Sequence, residues 1–143
     1  MTTAPRVKRA IVAAVSQHPT FRSRQVSVSH PGADLEHEAV FIAAVRNAEV
    51  ARSLGKAHRR ETLTVDVAVV CEVLGSDLDE VEDRAWAMVA GVEEAIAEDS
   101  TLGGVALMAE VSGFDQRSFN GPERSVIECT VECTVVCDKD YEG

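Results

Sequence analysis

From Leu63 to Val73 an apolar residue recurs at every second position without a break. Leu63, Val65, Val67, Val69, Cys71 and Val73 fall on one side; Thr62, Thr64, Asp66, Ala68, Val70 and Glu72 fall on the other. A period of two predicts a strand with one dry face. At ~3.3 Å per residue the segment Glu61–Val73 reaches roughly 43 Å. That is about twice the usual strand, so it bends, bulges or projects from the body. The stretch Ser125–Cys137, "SVIECTVECTVVC", repeats the pattern. Ile127, Cys129, Val131, Cys133, Val135 and Cys137 share a face, opposite Glu128, Thr130, Glu132 and Thr134. Its many β-branched residues favour a second long strand.

Helical spacing appears twice. Over Pro5–Gln17 the apolar stripe is Val7, Ala10, Ile11, Ala14 and Val15, with Pro5 suited to a first turn and His18-Pro19 as the stop. The second stripe runs Val81, Ala85, Met88, Val92 and Ile96, widened by Val89 and Ala95. Asp77 with Glu80 forms a capping-box variant before it, and acids crowd its first turn, where the helix dipole favours them. Val26 and Val28 mark a short strand ahead of a Pro31-Gly32 turn. Residues 36–54 fit a helix by alanine content and charge, but their centre, "AVFIAAV", fits a buried strand equally well. After Gly103-Gly104, "VALMAEV" predicts a strand with Val105, Leu107, Ala109 and Val111 on one face. A polar connection with a turn at Asn120-Gly121-Pro122 then leads to the cysteine strand. Residues 138–143, "DKDYEG", read as a flexible polar tail.

Composition marks an ordinary globular chain: 143 residues, 45% hydrophobic and 27% charged. No apolar run approaches the ~18 residues that span a bilayer, and no signal peptide is read at the N-terminus, so a soluble protein made in the cytosol is expected. Charge is distributed unevenly. The net value is −10, yet the first 24 residues hold five Lys/Arg and no acid. So acidic a remainder argues against a protein that grips nucleic acid. It is compatible with one that lets nucleic acid pass.

The cysteines do not form a metal site on this backbone. Four residues along a strand is about 13 Å, whereas zinc needs its sulfurs at ~2.3 Å. A disulfide within the strand is excluded by the same distance; Cys71 on the other long strand remains a candidate for pairing across. The expected role is that of small core hydrophobes. His30 and His37 flank Asp34 and Glu36 in no recognised ligand spacing, and the other histidines, His18 and His58, lie at element ends or in loops. Trp86 reads as a core or interface anchor. No serine has a nucleophile-elbow context, no phosphate loop is present, and no acid–base pair stands out. The expectation is no enzyme activity and no cofactor or metal.

Asp66, Glu72, Glu110, Glu128 and Glu132 all fall opposite the cysteine–valine face. If the strands are neighbours, the sheet has one dry side and one acidic, threonine-rich side. This is either an ordinary wet face or the lining of something.

The order "VSVSHPG", "EAVFIAAV", "LGKAHRRETLTVDVAVV", "RAWAMVAGVEEAIAEDSTLGG" and "VIECTVECTVVC", covering residues 25 to 137, resembles the tail terminator proteins of long-tailed phages, especially those of actinobacteria. The resemblance implies a small α/β protein with a sheet backed by helices. The elements above are expected to form an α+β architecture, a mixed or antiparallel sheet of four to five strands with two main helices on one face, in a single domain of residues 1–143. It implies "EAVFIAAV" as a strand, although relatives in that family often carry glycine where Ala43 and Ala44 stand. It further implies a homo-hexameric ring on the finished tail tube, in the virion tail, assembled in the host cytoplasm. Its partners would be the tail tube protein and a head–tail connector or neck protein, with genomic DNA passing through the lumen without specific binding and no membrane contact. Asp66, Glu128 and Glu132 are then candidates to face the channel. Arg6, Lys8, Arg9, Lys56, Arg59 and Arg60 are candidates to contact acidic partner surfaces. The alternatives are a head-completion or neck protein and a small dimeric ligand-binding α+β domain.

Overall fold

The two long alternating segments lie side by side at the centre of a five-stranded sheet. The computed structural model describes residues 2–52, 58–75 and 77–140. In chain order these form α1 (Ala4–Gln17), β1 (Gln25–Ser27), β2 (Glu38–Arg52), β3 (His58–Leu74), α2 (Leu78–Glu98), β4 (Met108–Asn120) and β5 (Arg124–Asp140). The sheet order is β1-β2-β3-β5-β4. β1 runs parallel to β2 and every other pair is antiparallel. The fold is thus α+β with a mixed sheet, and both helices pack on one face.

β2 settles the ambiguous segment as a strand. Its residues Ala39, Val40, Phe41 and Ile42 are all buried. Val40 and Ile42 join the main core, whereas Phe41 lies on the other face with Ala68, Val70, Leu35 and Val126. A strand covered on both faces reads as a continuous apolar run without a period, which is why pattern alone could not separate it from a helix. The register shifts between Ile42 and Ala44. Ala43 is therefore the extra residue of a bulge, at one of the two positions where the resembled family often carries glycine.

The main core is the dry face of β3 and β5 against α1 and α2, with Val7, Ile11, Leu63, Met88, Ile96 and Ile127 almost fully buried. A Cβ on Gly91 would stand 2.9 Å from Thr20 Cγ2 and 3.1 Å from Phe21 Cε2. Only glycine therefore lets the short 3-10 turn Pro19–Phe21 dock on α2. Leaving α2, the chain turns through Leu102, Gly103 and Gly104, all at positive φ, and this reversal delays the next strand.

Three expectations are corrected. β4 begins at Met108 rather than Val105 and continues through the stretch read as a polar connection. A bulge between Val111 and Gly113 shifts the alternation, so Phe114, not Gly113, faces the helices, and a strict period-two test fails across it. Being an edge strand, β4 also tolerates polar residues that a central strand would not. Residues 138–140, read as the start of a tail, extend β5 opposite His58, Arg59 and Arg60; 141–143 lie outside the described residues. Ala68 and Val70, assigned to the wet face, are buried there by Phe41 and the segment that carries Leu35.

Two polar knots, one buried and one part-exposed, position the helices. Glu61, 1% exposed, lies on the dry face in phase with Leu63. Its carboxylate accepts hydrogen bonds from Thr2 Oγ1 (2.9 Å), Thr3 N (2.8 Å) and the Thr3 hydroxyl. Thr3 is the N-cap of α1 and makes no side-chain cap bond of its own. An anion from β3 thus holds the positive end of the helix. At the opposite side of the core Glu38 accepts from both Arg24 and Arg84, tying β2 to β1's approach and to α2. Burial works to raise the Glu38 carboxyl, but the hydrogen bonds and charges of Arg24 and Arg84 outweigh it and hold the carboxyl below its usual range.

Candidate functional site

The wet face of the sheet brings two of the three candidate channel residues together. Asp66 on β3 is the direct cross-strand neighbour of Glu132 on β5. Two carboxylates side by side would repel each other, and Arg46 of β2 lies between them. Its Nε is 2.6 Å from Asp66 Oδ2, and its Nη2 is 2.8 Å from Asp66 Oδ1 and 2.7 Å from Glu132 Oε2. Those bonds raise the affinity of the guanidinium for its proton. Ser112, at the β4 bulge, donates towards Glu132 Oε1 (3.3 Å) and accepts from Thr134 Oγ1 (3.0 Å). Glu128 lies apart from this cluster, exposed, between Val70 and Arg117 in the register.

The face is therefore less acidic than its carboxylates alone suggest. Arg124 approaches Glu72 at 3.5 Å, and Arg117 sits across from Glu128. Arg46 was invisible as a member of this face because its segment had no readable parity. Beside the charges, an open groove of about 540 Å³ is lined by Phe41, Val70, Val126, Glu128 and, round the β2 edge, by Lys8, Ile42 and Ala43. The His30 ring stands edge-on over Phe41 at 4.8 Å.

The basic candidates are dispersed. Arg6 and Arg9 are exposed on α1, with Lys8 half-buried beside the groove. Arg59 and Arg60 fall in β3, and Arg60 pairs with Asp138 at 3.9 Å. Lys56 lies outside the described residues.

On the far side, β4 presents exposed Met108, Phe114 and Phe119, with exposed Leu107 just before it. Trp86 of α2 leans on Phe114 with ring centroids 5.9 Å apart. Its indole N–H donates to Gln116 Oε1 at 2.6 Å, and Gln116 donates on to Glu82 at 3.0 Å. Trp86 is thus part-exposed and ties α2 to the edge strand instead of filling the core. A dimple of about 220 Å³ opens here between Glu93, Ile96 and Ala97 of α2 and Ala109, Glu110 and Phe114. The polar half of β4 escaped the sequence reading, and Phe114 and Phe119 inside it were the available signal.

All four cysteines are buried free thiols. Cys71 faces Ile127 and Cys129 faces Val69 across the β3–β5 pair, so the two thiols are not opposite each other. Burial pushes Cys133 up to about 12 and Cys129 up to about 11, with nearby carboxylates adding to the effect. Cys71 and Cys137 are raised as well, burial again being the main cause. Such thiols stay protonated at neutral pH and make poor nucleophiles or ligands. Among the described residues no group of three His, Cys, Asp or Glu side chains is placed to hold a metal ion. Instead His18 donates to Glu94 at 3.0 Å, and His30 accepts from Gly32 N at 2.8 Å.

Neither a protein-family model nor a curated protein matches the chain with significance. Solved structures that are similar to it include a chain described as part of the virion of a native gene transfer agent particle. It is 14% identical, with a TM-score of 0.46, over 88% of this chain and 84% of that one.

Proposed function

We propose that this chain is a structural virion protein, without catalytic activity, that caps the end of a phage tail tube as a hexameric ring. In that role it stops tube growth and offers a surface to the head–tail connector or neck protein. The observation that supports the reading most is the pair of open sheet edges. Among the described residues β4 bonds only to β5, and β2 bonds to β1 only through Ala39–Phe41. A sheet open at both ends is a template for strand addition, and a head-to-tail contact repeated about an axis closes a ring.

In this reading the wet face looks into the lumen. Asp66, Glu132 and Glu128 keep DNA from adhering, and Arg46 tempers the field rather than leaving bare carboxylates. The tail tube and connector meet the ends of the ring, where Arg59 and Arg60 supply positive charge. The particle is assembled in the host cytoplasm and ends in the virion tail.

The test is tube growth from the cognate tail tube protein, with and without this chain, followed by electron microscopy. Tubes of set length bearing a terminal ring are expected with it, and overgrown tubes without it. Unchanged tube lengths would refute the capping role. Attachment to the head portal alone would favour the head-completion reading instead.

A further inference from the structure

The two open edges differ in charge, and the difference lies in the helices above them. α1 packs over β1 and β2, while α2 packs over β3, β5 and β4. On α1 the residues Val7, Ile11 and Val15 point inward, and Ala14 and Gln17 face α2 across a shallow hollow shared with Ala95 and Glu98. Lys8 sits on the opposite flank, over Ile42 and Ala43, where β2 loses its β1 neighbour and the groove opens. Arg6 and Arg9 are exposed close by, and no acid occurs in this part of the chain.

The outer flank of α2 is the reverse. Glu82 and Glu93 lean over β4, where Glu82 is bonded to Gln116 and Glu93 lines the dimple with Glu110 and Phe114. On the helix side one edge of the molecule is thus basic, above a groove of mixed lining that also holds Glu72 and Glu128 on the wet face, and the other is acidic with projecting Phe114, Leu107 and Met108.

Strand directions agree with the charges. β3 opposes β2, β5 opposes β3, and β4 opposes β5. β4 therefore runs opposite to β2, and a sheet continued from one copy into the next sets these strands antiparallel, the commoner pairing. The thirteen residues of β4 meet a free stretch of comparable reach, Ile42–Arg52.

We propose that successive copies join by antiparallel pairing of β4 of one copy with the open half of β2 of the next, the acidic flank of α2 lying against the basic flank of α1. The occupant of each edge is a second copy of this chain. The assignment deepens the ring reading by naming the surfaces that close it, and it holds for any head-to-tail assembly.

Charge exchange tests it. Lys8→Glu/Arg9→Glu and Glu93→Lys/Glu110→Lys each alter one edge at solvent-accessible positions, and circular dichroism checks that both fold. Followed by sedimentation at low salt and the highest attainable concentration, the wild type associates. Each variant alone loses association by about tenfold or more. Their equimolar mixture regains it with alternating copies, because every contact then joins opposite charges, and rising salt weakens wild-type association. Wild-type behaviour of either variant alone, a mixture no better than its parts, or salt-independent association would each overturn the pairing. A wild type that stays monomeric would overturn it too. Tube growth judges the other question separately. A chain that still sets tube length while ignoring the charge swap refutes these surfaces and leaves capping intact.

Discussion

Replacing Glu61 with alanine is expected to cost about 2–5 kcal/mol, the range for removing one partner from a buried, charge-assisted set of hydrogen bonds. The carboxylate accepts from Thr2, from the Thr3 amide and from the Thr3 hydroxyl. Its loss leaves the buried Thr3 donors without this acceptor and removes an anion from the start of α1. Against a total stability of about 5–15 kcal/mol for a domain of this kind, that is a large fraction. Urea unfolding should show a lower midpoint at an unchanged slope. Amide exchange should accelerate first in α1, which depends on this anchor for its position. Glu61→Gln, which keeps an acceptor oxygen but loses the charge, should fall between. Thr3→Val combined with Glu61→Ala should cost less than the sum of the two single changes, because they remove the same bonds. A midpoint within error of the wild type for Glu61→Ala would show that α1 is held by its apolar stripe alone.

The second large effect is alkaline. An unfolded thiol ionises near 8.5, whereas in the folded chain Cys133 is pushed up to about 12 and Cys129 to about 11 by burial. Above about pH 9 the unfolded state therefore holds fewer protons than the folded state, and stability falls as pH rises. The slope is about 1.4 kcal/mol per pH unit for each such thiol, continuing for Cys133 until about pH 12. Denaturation midpoints should be flat between pH 7 and 8 and drop steeply beyond 9. Cys133→Val, which keeps the volume and removes the proton, should reduce the drop. In the native state a thiol reagent at pH 8 should label none of the four cysteines quickly. Rapid labelling, or the same alkaline slope in Cys133→Val, would contradict burial as the cause.

These two residues show how legibility varied along the chain. The cysteine strand was readable because period-two alternation and β-branched residues agree, and the spacing excluded a shared metal before any coordinates. Glu61 was half readable. It is in phase with Leu63, but the sequence reading gave it no face, and a carboxylate on the dry side has no local explanation, since Thr2 and Thr3, which bond it, are 58 residues or more away. β2 was unreadable by period because both faces of its Ala39–Ile42 stretch are covered and a bulge follows at Ala43, and with it Arg46 was missed. The wet face consequently looked like a wall of bare carboxylates, when Asp66 and Glu132 in fact share one guanidinium. β4 was misplaced for a different reason. A bulge interrupts its alternation, and an edge position lets it stay polar. Bulges and edges are properties of pairing, so they emerge only once the neighbours are known.

In the proposed assembly the two open edges meet each other in a closed ring. The most direct measurement is native mass spectrometry of the particle released from capped tail tubes. A single closed species of six copies is predicted. A ladder of sizes without a preferred closed form, or a chain that leaves the tube only as monomers and symmetric dimers, would contradict it.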